Sequence, residues 1–280
     1  MKVFEASELK KLYKPHPGSN GEENGQVTII GGSSLFHGAP LFGVKIASQI
    51  VDMVFFSSPE ASVGEVAAKI KSQLLSFIWV PWEEIKQYIA KSDSVLIGPG
   101  FKRYNSEQSP HGKEYHYCDE ACQFTRKITR HLLEEFPEKK WVIDAGSLQV
   151  MDASWLPKNA IVTPNKKEYK ALFGEIDPVQ AAKDHNCIIV LKGQVSYVYS
   201  SESQVEVHGG NAGMTKGGTG DVMAGLTVGL LAKNDPFLAA CSGAYVVKAA
   251  ADNLFKKRGV YYNSDDLASE IPFILAQLTK

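Results

Sequence analysis

"GNAGMTKGGTGDVMAG", Gly210–Gly225, places six glycines and a single carboxylate, Asp221, within sixteen residues. Glycine lets a backbone approach an anion closely, and a helix N-terminus offers unpaired N–H groups with a partial positive charge. "KGGTGD" opening a helix therefore suits phosphate binding. A carboxylate beside such a helix start would be repelled by phosphate, so Asp221 points to a base aimed at a substrate hydroxyl, or to a group that handles magnesium. The structural alternatives are a glycine-rich turn packed against a neighbouring helix and an Asp221 that merely favours the positive helix end. The chain has no GxxxxGK[ST], and "GGSSLFHG" (31–38) does not match GxGxxG, so the phosphate site is neither a P-loop nor a dinucleotide fingerprint.

Upstream of this segment, short apolar runs alternate with helical stretches: "QVTII" (26–30), "MVFFSS" (53–58), "SFIWV" (76–80), "SVLIG" (94–98), "WVIDA" (141–145), "AIVTP" (160–164) and "CIIVLKG" (187–193). Nearly continuous apolar runs indicate strands covered on both faces, which predicts a mainly parallel sheet in a three-layer α/β/α domain. "PLFGVKIASQI" (40–50) and "WEEIKQYIAK" (82–91) read as helices. The alternating "VSYVYSSESQVEVHG" (195–209) reads as an antiparallel hairpin at one edge of the sheet. Helices are expected over 219–232, 236–257 and 264–278, and a long loop over 99–118.

At 280 residues, 44% hydrophobic and 22% charged, the chain is expected to form one domain, with residues 1–20 as an N-terminal extension. Thirty basic against thirty-one acidic residues argue against the broad positive face used for nucleic acid, which leaves small-molecule ligands. The N-terminal stretch lacks an apolar signal core and no segment approaches the roughly 20 apolar residues of a membrane span, so a cytoplasmic protein is expected. Four cysteines do not make a disulfide framework and are expected to be reduced thiols. His116-x-Cys118-x3-Cys122 lacks a fourth ligand and a Cys-x2-Cys pair, so surface helix residues are expected there rather than a metal site.

"GMTKGGTGDVMAG", with "VLIGPG" (95–100), "VIDAGSL" (142–148), "IVTPNKKEYKALFG" (161–174) and "IIVLKG" (188–193) in this order, resembles the nucleotide-dependent NAD(P)H-hydrate dehydratases of the ribokinase-like superfamily. The resemblance spans roughly residues 20–278. It implies a ribokinase-like α/β/α fold and a repair enzyme that uses ADP or ATP, with Mg2+, to dehydrate damaged NADH or NADPH. In that chemistry the ring hydroxyl is phosphorylated and phosphate is then eliminated, with Asp221 as the base. By the same resemblance, substrate contacts fall on Ala39, Gly100, Asn165 and Asp221, and nucleotide contacts on Lys192, Gly193, Gln194, Val195, Ser196 and Gly220. Backbone N–H groups of Gly217, Gly218 and Gly220 would surround the transferred phosphoryl group. A separate NAD(P)H-hydrate epimerase is implied, since about 25 residues before "QVTII" are too few for that domain, and a homo-oligomer is implied as well.

The chain departs from the family pattern in three places. Asn165 stands where a His is common, "DAGSL" keeps Asp144 but puts Gly146 where a second carboxylate is usual, and the loop after Gly100 is unusually long. No protein metal ligand is assigned. Lys166, Lys167, Glu168 and Lys170 read as a solvated helix face. Trp79, Trp82 and Trp141 read as core or edge packing, while His37, His208 and Asn211 could border ligand. Two other readings fit the same residues: a small-molecule alcohol kinase of thiazole or pyrimidine type that keeps phosphate on its product, and a nucleotide-binding module without catalysis.

Overall fold

The structure is a computed structural model, and it describes residues 1–103 and 118–280. His116 and most of the loop expected over 99–118 lie outside the described residues. Among the described residues ten strands form one sheet: β1 (Lys2–Val3), β2 (Gln26–Ile30), β3 (Met53–Ser57), β4 (Ile78–Trp79), β5 (Ser94–Ile97), β6 (Lys140–Ile143), β7 (Ile161–Val162), β8 (Ile188–Leu191), β9 (Ser196–Tyr199) and β10 (Gln204–Val207). The α-helices are α1 (Gly38–Ala47), α2 (Ala61–Ile70), α3 (Ile85–Lys91), α4 (Glu120–Glu135), α5 (Ala145–Val150), α6 (Lys166–Phe173), α7 (Pro178–Asp184), α8 (Thr219–Lys233), α9 (Pro236–Arg258) and α10 (Ser264–Leu278).

The strand order is β1-β10-β9-β8-β7-β6-β5-β2-β3-β4, with β2 to β8 parallel to one another and β9 antiparallel to β8. From β2 the chain builds outward through β3 and β4, then returns to β5 on the other side of β2. That reversal opens a crevice beyond the C-terminal ends of β2 and β5, the place where open α/β sheets bind ligands.

The apolar runs are continuous because each strand feeds two cores. Val27, Ile29, Leu96, Val142, Ile161, Ile188 and Val190 pack with the layer of α1, α8, α9 and α10. Their neighbours Ile30, Val95, Ile97, Trp141, Ile143, Val162 and Ile189 pack with α3 to α7 on the opposite face. Strict alternation of side chains along a strand makes this partition unavoidable. The three-layer α/β/α architecture expected from the sequence is the one observed. Trp141 is fully buried and Trp79 half-buried on β4, as core and edge packing require.

Two expectations, on the sheet edge and on the cysteines, are corrected. The hairpin of β9 and β10 does form, but β1 pairs parallel with β10 and takes the outermost place on that side. Within the N-terminal extension expected over residues 1–20, Phe4, Leu9 and Leu12 are buried in the core: the short 3₁₀ helix Ala6–Lys11 packs against α10, and the Phe4 ring lies 5.7 Å from that of Tyr245 on α9. Cys118 and Cys122 are joined by a disulfide rather than standing as thiols. Asp119 caps α4 between them, and that turn holds the two Cα atoms 5.2 Å apart, within disulfide reach. Cys187 and Cys241 are free and buried.

Candidate active site

Four of the residues singled out in the sequence follow the C-terminal ends of parallel strands: Gly100 after β5, Asp144 after β6, Asn165 after β7 and Lys192 after β8. Asp221 enters from the far side of the crevice, in the first turn of α8. Gly218 caps that helix with φ +92°, a left-handed conformation that glycine adopts without strain. A Cβ there would stand 2.5 Å from Phe42 Cε2 and 2.8 Å from Ser264 Oγ, so the position admits no side chain, whereas a Cβ on Gly217 would enter open space.

Lys192 ties this end of the sheet together. Its Nζ lies 2.9 Å from Asp144 Oδ1 and 3.8 Å from Glu168 Oε2, and it also stands 3.5 Å from where a Cβ of Gly220 would be. Asp144 is buried and its Oδ1 accepts a second hydrogen bond, 2.7 Å, from Thr163 Oγ1. Burial, the largest single influence on Lys192, favours the neutral amine, but Asp144, Glu168 and Asp221 outweigh it and raise the ammonium pKa above the usual lysine value. In Asp221 the neutral form is favoured instead: burial first, then Asp144, raise its carboxyl to about 7 against the opposing pull of Lys192. A carboxyl poised near neutrality can exchange a proton with a substrate at working pH.

A cavity of about 550 Å³ opens beside this cluster. Of the residues expected to hold nucleotide, Lys192, Gly193, Gln194, Ser196 and Gly220 line it, while Val195, Gly217 and Gly218 do not. Asn211, Thr219 and Lys248 line it too. Of the residues expected to meet substrate, Ala39 and Gly100 share the corner at the β2–β5 reversal, where a Cβ on Gly100 would stand 2.6 Å from Phe36 O and 3.1 Å from Pro40 Cδ. Asn165 lies across from Lys192, bridged to it through the backbone. Its Oδ1 accepts from the N–H groups of Lys167 and Glu168, so that oxygen caps α6.

The solvated-face reading of residues 166–170 fails at Glu168. Its carboxylate is buried, accepts the Asn165 N–H at 2.7 Å and the Gln149 amide at 2.5 Å, and faces Lys192. Asn165 and Glu168 form a capping box, a spacing of Asn followed three residues later by Glu that was available in the sequence as a helix-start signal. Lys248 carried no such signal. At Gly146 the structure supplies a reason for the missing carboxylate: a Cβ would stand 2.3 Å from Phe101 O. His37 pairs with Ser62 at 3.3 Å and His208 with Glu206 at 2.8 Å, and neither lines the cavity. Among the described residues no group of three or more Asp, Glu, His or Cys side chains is arranged to hold a metal ion, and the ammonium of Lys192 sits among the carboxylates nearest the site.

The family model for NAD(P)H-hydrate dehydratase matches residues 27–273, nearly the whole sheet with its helices. The chain belongs to this family. Among its relatives, the bifunctional NAD(P)H-hydrate repair enzyme of Methanocaldococcus jannaschii is 34% identical over 96% of this chain and 51% of its own length. The chain thus spans about half the length of such bifunctional relatives. The ADP-dependent (S)-NAD(P)H-hydrate dehydratase of Nitrosopumilus maritimus is 28% identical over 92% of this chain and 91% of its own length. In three dimensions the chain is similar to the ADP/ATP-dependent NAD(P)H-hydrate dehydratase of Bacillus subtilis co-crystallised with ATP/Mg2+, with a TM-score of 0.78, 19% identity and coverage of 99% of this chain and 98% of that one. The ribokinase-like fold expected from the sequence is shared with such structures, including a ribokinase-like protein of Enterococcus faecalis with a TM-score of 0.78 and 20% identity over 99% of this chain and 96% of that one.

Proposed function

We propose that the chain dehydrates hydrated NADH or NADPH with ADP or ATP, restoring the reduced dinucleotide. The observation that carries this reading is the placement of Asp221: half-buried, with a pKa near 7, in the first turn of a helix whose Gly220 lines the 550 Å³ cavity. The nucleotide occupies that cavity with its phosphates toward the start of α8, where unpaired N–H groups and the helix dipole stabilise negative charge. The hydrated ring lies on the other side of Asp221, toward Asn165 and the corner of Ala39 and Gly100. Asp221 takes the proton of the ring hydroxyl as that oxygen attacks the terminal phosphorus and the bond to the rest of the nucleotide breaks, releasing AMP from ADP or ADP from ATP. The ring nitrogen then drives cleavage of the ring C–O bond, phosphate leaves with the former hydroxyl oxygen, and the adjacent ring carbon loses a proton to restore the double bond. Lys192, held by Asp144, stabilises charge on the phosphoryl group as it transfers.

The donor set does not fit a resident metal, because Lys192 fills the space that Asp144 and Glu168 face. Magnesium therefore belongs to the nucleotide in this reading, carried on phosphate oxygens as is common for that ion. A separate NAD(P)H-hydrate epimerase, a closed homo-oligomer and a cytoplasmic location complete the proposal. Among the described residues no helix is long and apolar enough to cross a membrane.

The test is incubation of chemically prepared hydrate with ADP or ATP, following reduced-nicotinamide absorbance and free phosphate together. Recovery of both supports the proposal. A phosphorylated product that persists without recovered absorbance would indicate a kinase, and nucleotide binding without turnover a non-catalytic module.

A further inference from the structure

The sequence "HGGN", His208–Asn211, precedes the glycine-rich helix start and has no part in the chemistry above. In the structure it lies against α9, over two residues one helical turn apart, Lys248 and Asp252. Gly209 and Gly210 both have positive φ, +94° and +83°. A Cβ on Gly210 would stand 3.2 Å from Lys248 Cγ, and one on Gly209 3.0 Å from Asp252 Oδ2, so the paired glycines let the backbone settle directly on these side chains. Asp252 accepts the Gly210 N–H at 2.9 Å and the Asn211 amide at 3.1 Å.

Lys248 is 4% exposed. Its ammonium donates to Gly193 O at 3.2 Å, Gln194 O at 2.7 Å and Gly209 O at 3.0 Å, which uses all three of its hydrogens. These carbonyls belong to two loops at the two chain ends of the β9–β10 hairpin, the strand exit after β8 and the turn after β10, and both loops line the cavity. Peptide planarity means that fixing three carbonyls fixes three peptide planes, N–H groups included.

We propose that Lys248 is a positioning residue for nucleotide binding, a buried cation that locks the two loops walling the cavity in the orientation the nucleotide requires. The proposal rests on the nucleotide assignment of that cavity. With no hydrogen to spare, the ammonium acts on the ligand through the loops rather than by direct contact. An apolar chain at 248 leaves three buried carbonyls unpaired, and the loops would turn toward solvent to satisfy them.

The experiment compares wild type, Lys248→Met and Lys248→Gln. It measures ADP and ATP affinity by calorimetry without substrate, and KM for nucleotide and kcat with hydrate. Nucleotide affinity is expected to fall about ten- to hundredfold in folded Lys248→Met, with KM rising far more than kcat falls. A lower melting temperature with unchanged nucleotide affinity would reduce Lys248 to a purely structural role and overturn the proposal. Should Lys248→Met fail to fold, Lys248→Gln, whose shorter amide has only two hydrogens for three carbonyls, decides: weakened binding supports the clamp and wild-type affinity overturns it. If the wild type itself binds neither nucleotide, the cavity assignment fails and this inference fails with it.

Discussion

Lys192 Nζ and Asp144 Oδ1 stand 2.9 Å apart across the C-terminal ends of β8 and β6, two strands separated in the sheet by β7. Asp144 is 2% and Lys192 23% exposed at the side chain, so the pair holds an ammonium at the site mouth while keeping its anchor out of water. Asp144→Asn keeps the shape and removes the charge. Breaking a buried pair from one side costs about 3–5 kcal/mol, and the lower figure, about 3 kcal/mol, is expected because Lys192 retains some solvent. Denaturant unfolding of the variant measures it. The same change removes a negative neighbour of Asp221, so the acid limb of the kcat/KM profile should move to lower pH; an unmoved limb would separate the two carboxylates electrostatically.

Asp221→Asn should lower turnover about 10²–10⁴-fold and leave nucleotide affinity intact or slightly improved. Its stability carries a second signature. Burial pushes the folded carboxyl up to about 7 from the ordinary aspartate value of 3.8, so the folded state binds the proton more tightly and ionisation works against folding. Wild type therefore loses stability as pH rises from 3.8 to about 7. The Asn variant should match wild type below that window and exceed it above, an advantage that melting curves at several pH values would reveal. A variant less stable at pH 8 would instead identify Asp221 as a simple helix-end residue.

Gly217 and Gly218 are adjacent but not equivalent. Gly218→Ala places a Cβ at positive φ against Phe42 and Ser264 and should cost about 1–3 kcal/mol of stability. Gly217→Ala meets open space and should stay within about 0.5 kcal/mol of wild type. Equal losses in chemical denaturation would contradict this distinction.

The Cys118–Cys122 bridge should leave two of the four cysteines blocked when unfolded, unreduced protein is alkylated and weighed. Closing so short a loop contributes about 2 kcal/mol in the chain-entropy account, which reduction or Cys118→Ser would remove. Four alkylated thiols would restore the expectation of reduced cysteines.

Much of the fold could be read in the chain because its signals are local. A strand covered on both faces is apolar at nearly every position, which is why the runs from Gln26 to Gly193 became β2 to β8, the edge strand β4, with Ile78 exposed, being the exception. Helix 264–278 is bounded as expected, and 219–232 and 236–257 each extend by one residue. The glycine spacing and Asp221 likewise mark a helix start with a carboxylate in its first turn, whatever surrounds it.

What the chain alone did not disclose depends on which segments meet. β1 lies beside β10, some two hundred residues away, and a two-residue strand has no periodicity to announce it. Asp144 and Lys192 are 48 positions apart, and Lys248 is 54 from the Gln194 carbonyl it holds. Glu168 has the composition of an exposed helix residue and becomes buried only when β8 brings Lys192 over it. Local patterning records which face of an element avoids water. The pairing of charges and the walls of the cavity are set by strand order and helix docking, because electrostatic and hydrogen-bond partners are chosen by distance in space.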